Sequence, residues 1–215
     1  PYADNTMVIF TTDHGVAFPR AKSTLYDSGV NVSFIIRPPA AWGVPAGREE
    51  RMVSHLDIAP TLVDLAGGEI RDELEGVSIL SRLKADAALA EDRELVLEKT
   101  YHDRYDPIRA IRTEHAKYIR NYVTGPKLSL PIDLEESATR RGMTDAHLEE
   151  RPVEELYLLD EDPWEFVNVA ENDQHRDLRD HLSARLDYHM RRTADPLIDG
   201  DIPAPELAPR NAHVH

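Results

Sequence analysis

The sequence contains no cysteine. Disulfides and thiolate-bound metals are therefore excluded. It has no apolar run approaching the ~18 residues that a membrane-spanning helix requires. Positive charge is scarce: 25 Lys and Arg stand against 40 Asp and Glu, a formal net charge of -15. So acidic a surface disfavours a nucleic-acid backbone or an anionic membrane as partner. It does not exclude a small anionic substrate, because a site combining a metal and a lysine can be locally positive. No nucleophile is evident.

What is present begins with residues 6–22, TMVIFTTDHGVAFPRAK. Met7 to Phe10 form an unbroken apolar run. Such a run predicts a strand buried on both faces, as in a parallel sheet. Ligands of open α/β sheets bind beyond the carboxyl ends of the strands. Asp13 and His14 stand where this strand would deliver them. Asp offers a hard oxygen ligand; His offers a nitrogen ligand or a proton. Gly15 lets the chain turn after them. Lys22, nine residues past Asp13, is a mobile point charge suited to an anion. The stretch supplies half a metal site and one anion clamp.

Residues 32–36 (VSFII) predict a second buried strand, ended by Pro38 and Pro39. Asp57 is expected to cap a helix to Ala66, with Ile58, Leu62 and Leu65 as its apolar face and Gly67-Gly68 as its stop. Residues 69–92 are polar and alanine-rich, and a subdomain boundary is placed there. Strands follow at 95–98, 108–113 and 117–122, the last two joined by a short hairpin connection. Residues 124–154 are long for a structureless loop, which predicts a lid, an insertion or partial helix. A fourth strand is expected at 155–160. A helix at 173–192 carries Leu178, Leu182, Leu186 and Met190 as a core stripe. The remainder, with four prolines, is expected to be a tail that wraps or frays.

Five ordered blocks, TMVIFTTDHG, AKSTLYDSGV, VSFIIRPP, SHLDIAPTLVDLAG and EGVSIL, resemble the C-terminal part of the type I sulfatase family. AIRTEHAKYIRNY and ELYLLDEDPWEFVNVAEN look like that family's small C-terminal subdomain. KSTLYDSG and HDRYDPIRAIRT look most like members acting on sulfated sugars, including the heparan N-sulfatase type. The resemblance implies an α/β fold. Residues 1–90 would be the C-terminal piece of a large, alkaline-phosphatase-like mixed-sheet domain. Residues 91–215 would be a small α+β subdomain with a four-stranded antiparallel sheet and a helix. It also implies a divalent cation, usually Ca2+, a formylglycine nucleophile made from a C/S-x-P-x-R motif, and hydrolysis of a sulfate ester or sulfamate. By motif match, Asp13 would ligate the metal, His14 would lie beside metal and sulfate, and Lys22 would contact the sulfate.

The sequence has no C/S-x-P-x-R segment. It opens a few residues before a core strand. It is therefore expected to be the C-terminal portion of a longer enzyme, inactive alone, with the formylglycine on the preceding part. His102 and Arg104 lie in a strand-end loop that either binds sugar hydroxyls and further sulfates or is an ordinary polar loop. His55 either faces the cleft or simply sits in its loop. Asp57 is read as structural. An alternative is a phosphodiesterase or phosphonate monoester hydrolase of the same superfamily, because nitrogen ligation by His14 suits Mn2+ or Zn2+. A catalytically inert fragment or binding module is the third reading. The oligomeric state and the compartment are left open.

Overall fold

The computed structural model describes residues 2–84 and 93–203. Most of the second half of the expected boundary, residues 85–92, lies outside the described residues, as does the tail from residue 204. Among the described residues, no helix is long and apolar enough to cross a membrane.

Strands β1 (Val8–Thr11) and β2 (Phe34–Arg37) form a two-stranded antiparallel ribbon, with Ile9 opposite Ile36. The antiparallel pairing corrects the expectation of a parallel neighbour. Val8, Phe10 and Ile35 are exposed. A continuous apolar run specifies that both faces can be buried, not the direction of the neighbour. Between the strands, residues 12–26 form a long loop leading into α1 (Asp27–Val30).

Helix α2 (Ile58–Leu65) begins after Asp57 as expected, but the Asp57 side chain makes no cap hydrogen bond to it. Ser54 caps the short 3-10 turn that precedes α2, His55–Asp57: its Oγ accepts from the Leu56 N–H at 3.2 Å, and its own N–H donates to Asp57 Oδ2 at 2.8 Å. Asp57 is completely buried and is held bidentately by Arg93, both contacts at 2.6 Å. The face of α2 also differs from expectation. Pro60 and Thr61 are buried, whereas Leu62 and Leu65 are exposed. Thr61 accounts for the inversion, because its hydroxyl donates to Asp57 O and accepts from the Ile79 N–H at 3.0 Å. A short helix, α3 (Leu80–Leu83), follows.

The second half is built on four antiparallel strands in sequential order: β3 (Leu95–Tyr101), β4 (Tyr105–Arg112), β5 (Ala116–Asn121) and, after an insertion, β6 (Glu154–Leu158). Alternate residues face opposite sides. Ile111, Tyr118 and Leu156 pack against Leu182, Leu186 and Met190. Ile108, Ala110, Ile119 and Tyr157 pack against Leu25 and Tyr26. The central strand β4 is therefore buried on both faces. The insertion contains two short helices, α4 (Ile132–Glu135) and α5 (Ala138–Arg141), which agrees with a partly helical segment. Helix α6 (Arg176–Arg192) presents the expected stripe to the sheet. Its far end is fastened by Asp195, which receives Arg109 of β4 in a buried bidentate pair at 2.5 and 3.1 Å. The tail then wraps: Ile202 O accepts from the Tyr101 hydroxyl at 2.9 Å.

Candidate functional site

The loop between β1 and α1 carries the expected site residues, and two close backbone approaches fix its path. The Gly15 N–H donates to Gly29 O at 2.8 Å. A Cβ on Gly15 would lie 1.9 Å from Ser28 O, and one on Gly29 would lie 2.3 Å from Ala21 O. The chain bends over residues 13–15 as read from the sequence, and Gly15 is required in addition for contact between two chain segments. Arg20 and Ser23 bracket Lys22 in the left-handed region, at φ 63° and 66°. Non-glycine residues there cost on the order of 1–3 kcal/mol each and persist only where the surroundings impose them.

The surroundings here belong to the second sheet and its loops. The Arg20 guanidinium donates to Trp164 O at 2.9 Å and to Glu165 O. Lys99 donates to Ser23 O at 2.8 Å, and Lys117 donates to Leu25 O at 3.0 Å. Asp27, at the start of α1, is gripped by Arg112 and Lys117. Burial alone would raise the Asp27 carboxyl, but these two cations outweigh it and hold it below the usual carboxylate range. The loop is positioned by contacts from residues 76 to 145 positions further along the chain.

Asp13 and His14 form a compact pair. The His14 N–H donates to Asp13 Oδ1 at 3.0 Å, and His14 Nε2 lies 3.7 Å from Asp13 Oδ2. His14 Nδ1 is 2.6 Å from Gly15 O. A carbonyl oxygen only accepts, so Nδ1 carries the proton, and in the neutral ring Nε2 presents its lone pair. The Asp13 side chain is 88% exposed.

Lys22 lies 2.8 Å from Asp133 Oδ2, on α4. This hydrogen bond holds the Asp133 carboxyl below its ordinary range. His102 Nδ1 lies 3.1 Å from Asp103 Oδ2, which also accepts the Ile132 N–H at 2.8 Å. That N–H, then His102 and the charge of Lys22, lower the Asp103 carboxyl. Asp13, His14, Lys22 and His102 all line one cleft of about 1720 Å³. Arg104 is exposed and is not among the lining residues. His55 faces the cleft, with Nε2 2.6 Å from Thr11 Oγ1.

The cleft wall reverses the charge balance of the chain. It carries seven Lys and Arg against five Asp and Glu. Five of these cations are paired with carboxylates, Lys22 with Asp133, Arg48 with Glu50, Arg82 with Glu49, Lys99 with Asp106 and Arg112 with Asp27, so the wall lacks the acidic excess of the chain without being strongly positive. The donors for a metal are incomplete. Asp13 and His14 supply one carboxylate and one imidazole, and among the described residues no three His, Asp or Glu side chains group for a cation. Calcium takes about six to eight oxygens, so these residues do not make its site by themselves. Sequence reasoning missed Asp133, whose contact spans 111 positions, and Arg93, whose pairing with Asp57 no local pattern announces.

Residues 1–68 match the family model described as Sulfatase. The chain is 31% identical over 222 residues to an ulvan-active sulfatase of Formosa agariphila, covering 95% of this chain and 35% of that protein. It is 26% identical to the N-sulphoglucosamine sulphohydrolase of Homo sapiens, covering 91% of this chain and 43% of that protein. A solved structure of a 2-O GAG sulfatase superposes with a TM-score of 0.69 at 23% identity, covering 95% of this chain and 40% of that one. The chain thus spans well under half the length of the curated relatives it matches. With the ordered blocks, the four-stranded subdomain and these likenesses, the chain belongs to the type I sulfatase family, whose C-terminal portion it matches.

Proposed function

We propose that the intact protein is a sulfuric ester or sulfamate hydrolase acting on a sulfated sugar, and that this chain supplies part of its anion site. The observation that carries the reading is the placement of Asp13, His14, Lys22 and His102 on one cleft whose wall is net basic in an acidic chain. Lys22 would neutralise charge on the sulfuryl oxygens, more strongly as charge moves in the transition state. His14, with Nδ1 fixed by Gly15 O, would offer Nε2 as ligand or proton acceptor. His102, on the cleft wall, would contact sugar hydroxyls or a further sulfate. In this reading the formylglycine nucleophile would come from outside this chain, which has no C/S-x-P-x-R segment, and a divalent cation, Ca2+ here, would need donors beyond Asp13 and His14.

The imidazole of His14 favours one second reading. A nitrogen ligand suits Mn2+ or Zn2+ better than Ca2+, which would fit a phosphonate or phosphodiester hydrolase. Paired assays of the intact protein on an aryl sulfate and an aryl phosphate diester, with metal analysis, separate the two. Sulfate turnover with bound calcium supports the first reading. Phosphoester turnover with manganese or zinc overturns it.

A further inference from the structure

We propose that Asp133 is a positioning residue for Lys22. The inference rests on the reading of Lys22 as the contact to the substrate anion. Lysine is a flexible tail ending in a compact charge, and its head group is ordered only by what it touches. Here the backbone on either side of Lys22 is imposed, by the left-handed Arg20 and Ser23. The side chain is only 18% exposed, and its ammonium meets Asp133 Oδ2 at 2.8 Å. An ammonium has three donors, so this contact leaves others for a ligand in the cleft that Lys22 lines.

Asp133 can serve this purpose because its own helical turn is fixed. Asp103 Oδ2 accepts the Ile132 N–H at 2.8 Å, and Leu130 and Leu134, on either side, are buried at 3% and 4% exposure. Asp103 belongs to the β3–β4 turn and is paired in turn with His102, another cleft residue. The insertion, the hairpin tip and the Lys22 loop therefore meet at this point. Exposed ion pairs contribute little to folding, and the Asp133 side chain is 53% exposed. Stability is a poor explanation for the arrangement; aiming a charge is a better one.

The test compares Lys22→Ala, Asp133→Asn, Asp133→Glu and the double variant Lys22→Ala/Asp133→Asn in the intact protein. The readouts are kcat/KM on 4-nitrophenyl sulfate and the melting temperature. Asp133→Asn is expected to lower kcat/KM about 10-fold, as a misplaced catalytic contact does. Its melting point should stay within about 2 °C of the parent. Asp133→Glu should regain most of the lost activity, and the double variant should be no slower than Lys22→Ala alone. If Lys22→Ala is impaired but Asp133→Asn is normal or faster, positioning is wrong and the role of Lys22 stands. A double variant slower by the product of the two effects also overturns it. If Lys22→Ala is normal, or the parent does not turn over the sulfate, the functional reading itself fails. Should Asp133→Asn melt lower, Asp133→Glu decides: recovered activity supports the proposal and unrecovered activity refutes it.

Discussion

Lys117 Nζ, on the inner strand β5 and fully buried, lies 2.6 Å from Glu165 Oε1. The same ammonium reaches Asp27, and the other Glu165 oxygen accepts the Asp27 N–H at 2.6 Å. Glu165 is itself left-handed, at φ 58°. Burial raises its carboxyl above the ordinary glutamate range, against the opposing pull of Lys117. One cation thus ties the sheet to the loop that presents Lys22.

Removing that cation should be costly. Lys117→Met would leave the buried Glu165 carboxylate without its cation and Asp27 with Arg112 alone. Stability should fall by about 3–5 kcal/mol, the usual loss when one partner of a buried pair is deleted. Adding Glu165→Gln should restore part of it. Urea unfolding of the single and double variants measures this. A Lys117→Met protein within about 1 kcal/mol of the parent would contradict the network.

The Asp57–Arg93 pair carries a pH signature. Burial raises the Asp57 carboxyl, but Arg93 and the N–H groups of Ser54 and Val77 outweigh it, so its folded pKa is depressed. A depressed carboxylate contributes stability that is complete above its unfolded pKa near 4 and is lost as pH falls through the lower folded value. Asp57→Asn should cost about 3 kcal/mol at about pH 7. The gap to the parent should narrow below about pH 4. Denaturant titrations at several pH values check this, and a gap unchanged through the acid range would contradict it.

The half of the fold most legible in the sequence is the second. The spacing of Leu178, Leu182, Leu186 and Met190 specifies a helix face, and the 108–113 and 117–122 runs specify a hairpin, because both patterns are local. The direction of β1 against β2 was not legible, since an apolar run reads alike beside either kind of neighbour. Asp57 stands at the expected start of α2, but its carboxylate is taken up by Arg93 and the N–H groups of Ser54 and Val77 instead of the helix end, because those partners come from outside the local pattern. The buried Lys117 could not be foreseen, because a lysine among strand residues is ordinarily solvated. Asp13, His14 and Lys22 stood out by residue type, whereas Asp133 and Asp103 acquire meaning only when the insertion folds back.

Gly15 offers a steric test. Gly15→Ala would drive a methyl into the Ser28 carbonyl at 1.9 Å, so two backbone segments must separate. It should lose about 1–3 kcal/mol of stability. Turnover should fall about 10-fold or more through displacement of the loop. Gly47→Ala is the control, as nothing lies within 4 Å of its Cβ position. Equal behaviour of the two variants would show that the close approach is unimportant.

The most direct measurement is kcat/KM of Lys22→Ala in the intact protein on a sulfated sugar fragment, beside its melting curve. If Lys22 stabilises the charge of the reacting sulfate, kcat/KM falls about 100- to 1000-fold, as on loss of one preorganised donor, with the melting curve unchanged. A Lys22→Ala protein with parental kcat/KM would contradict the account.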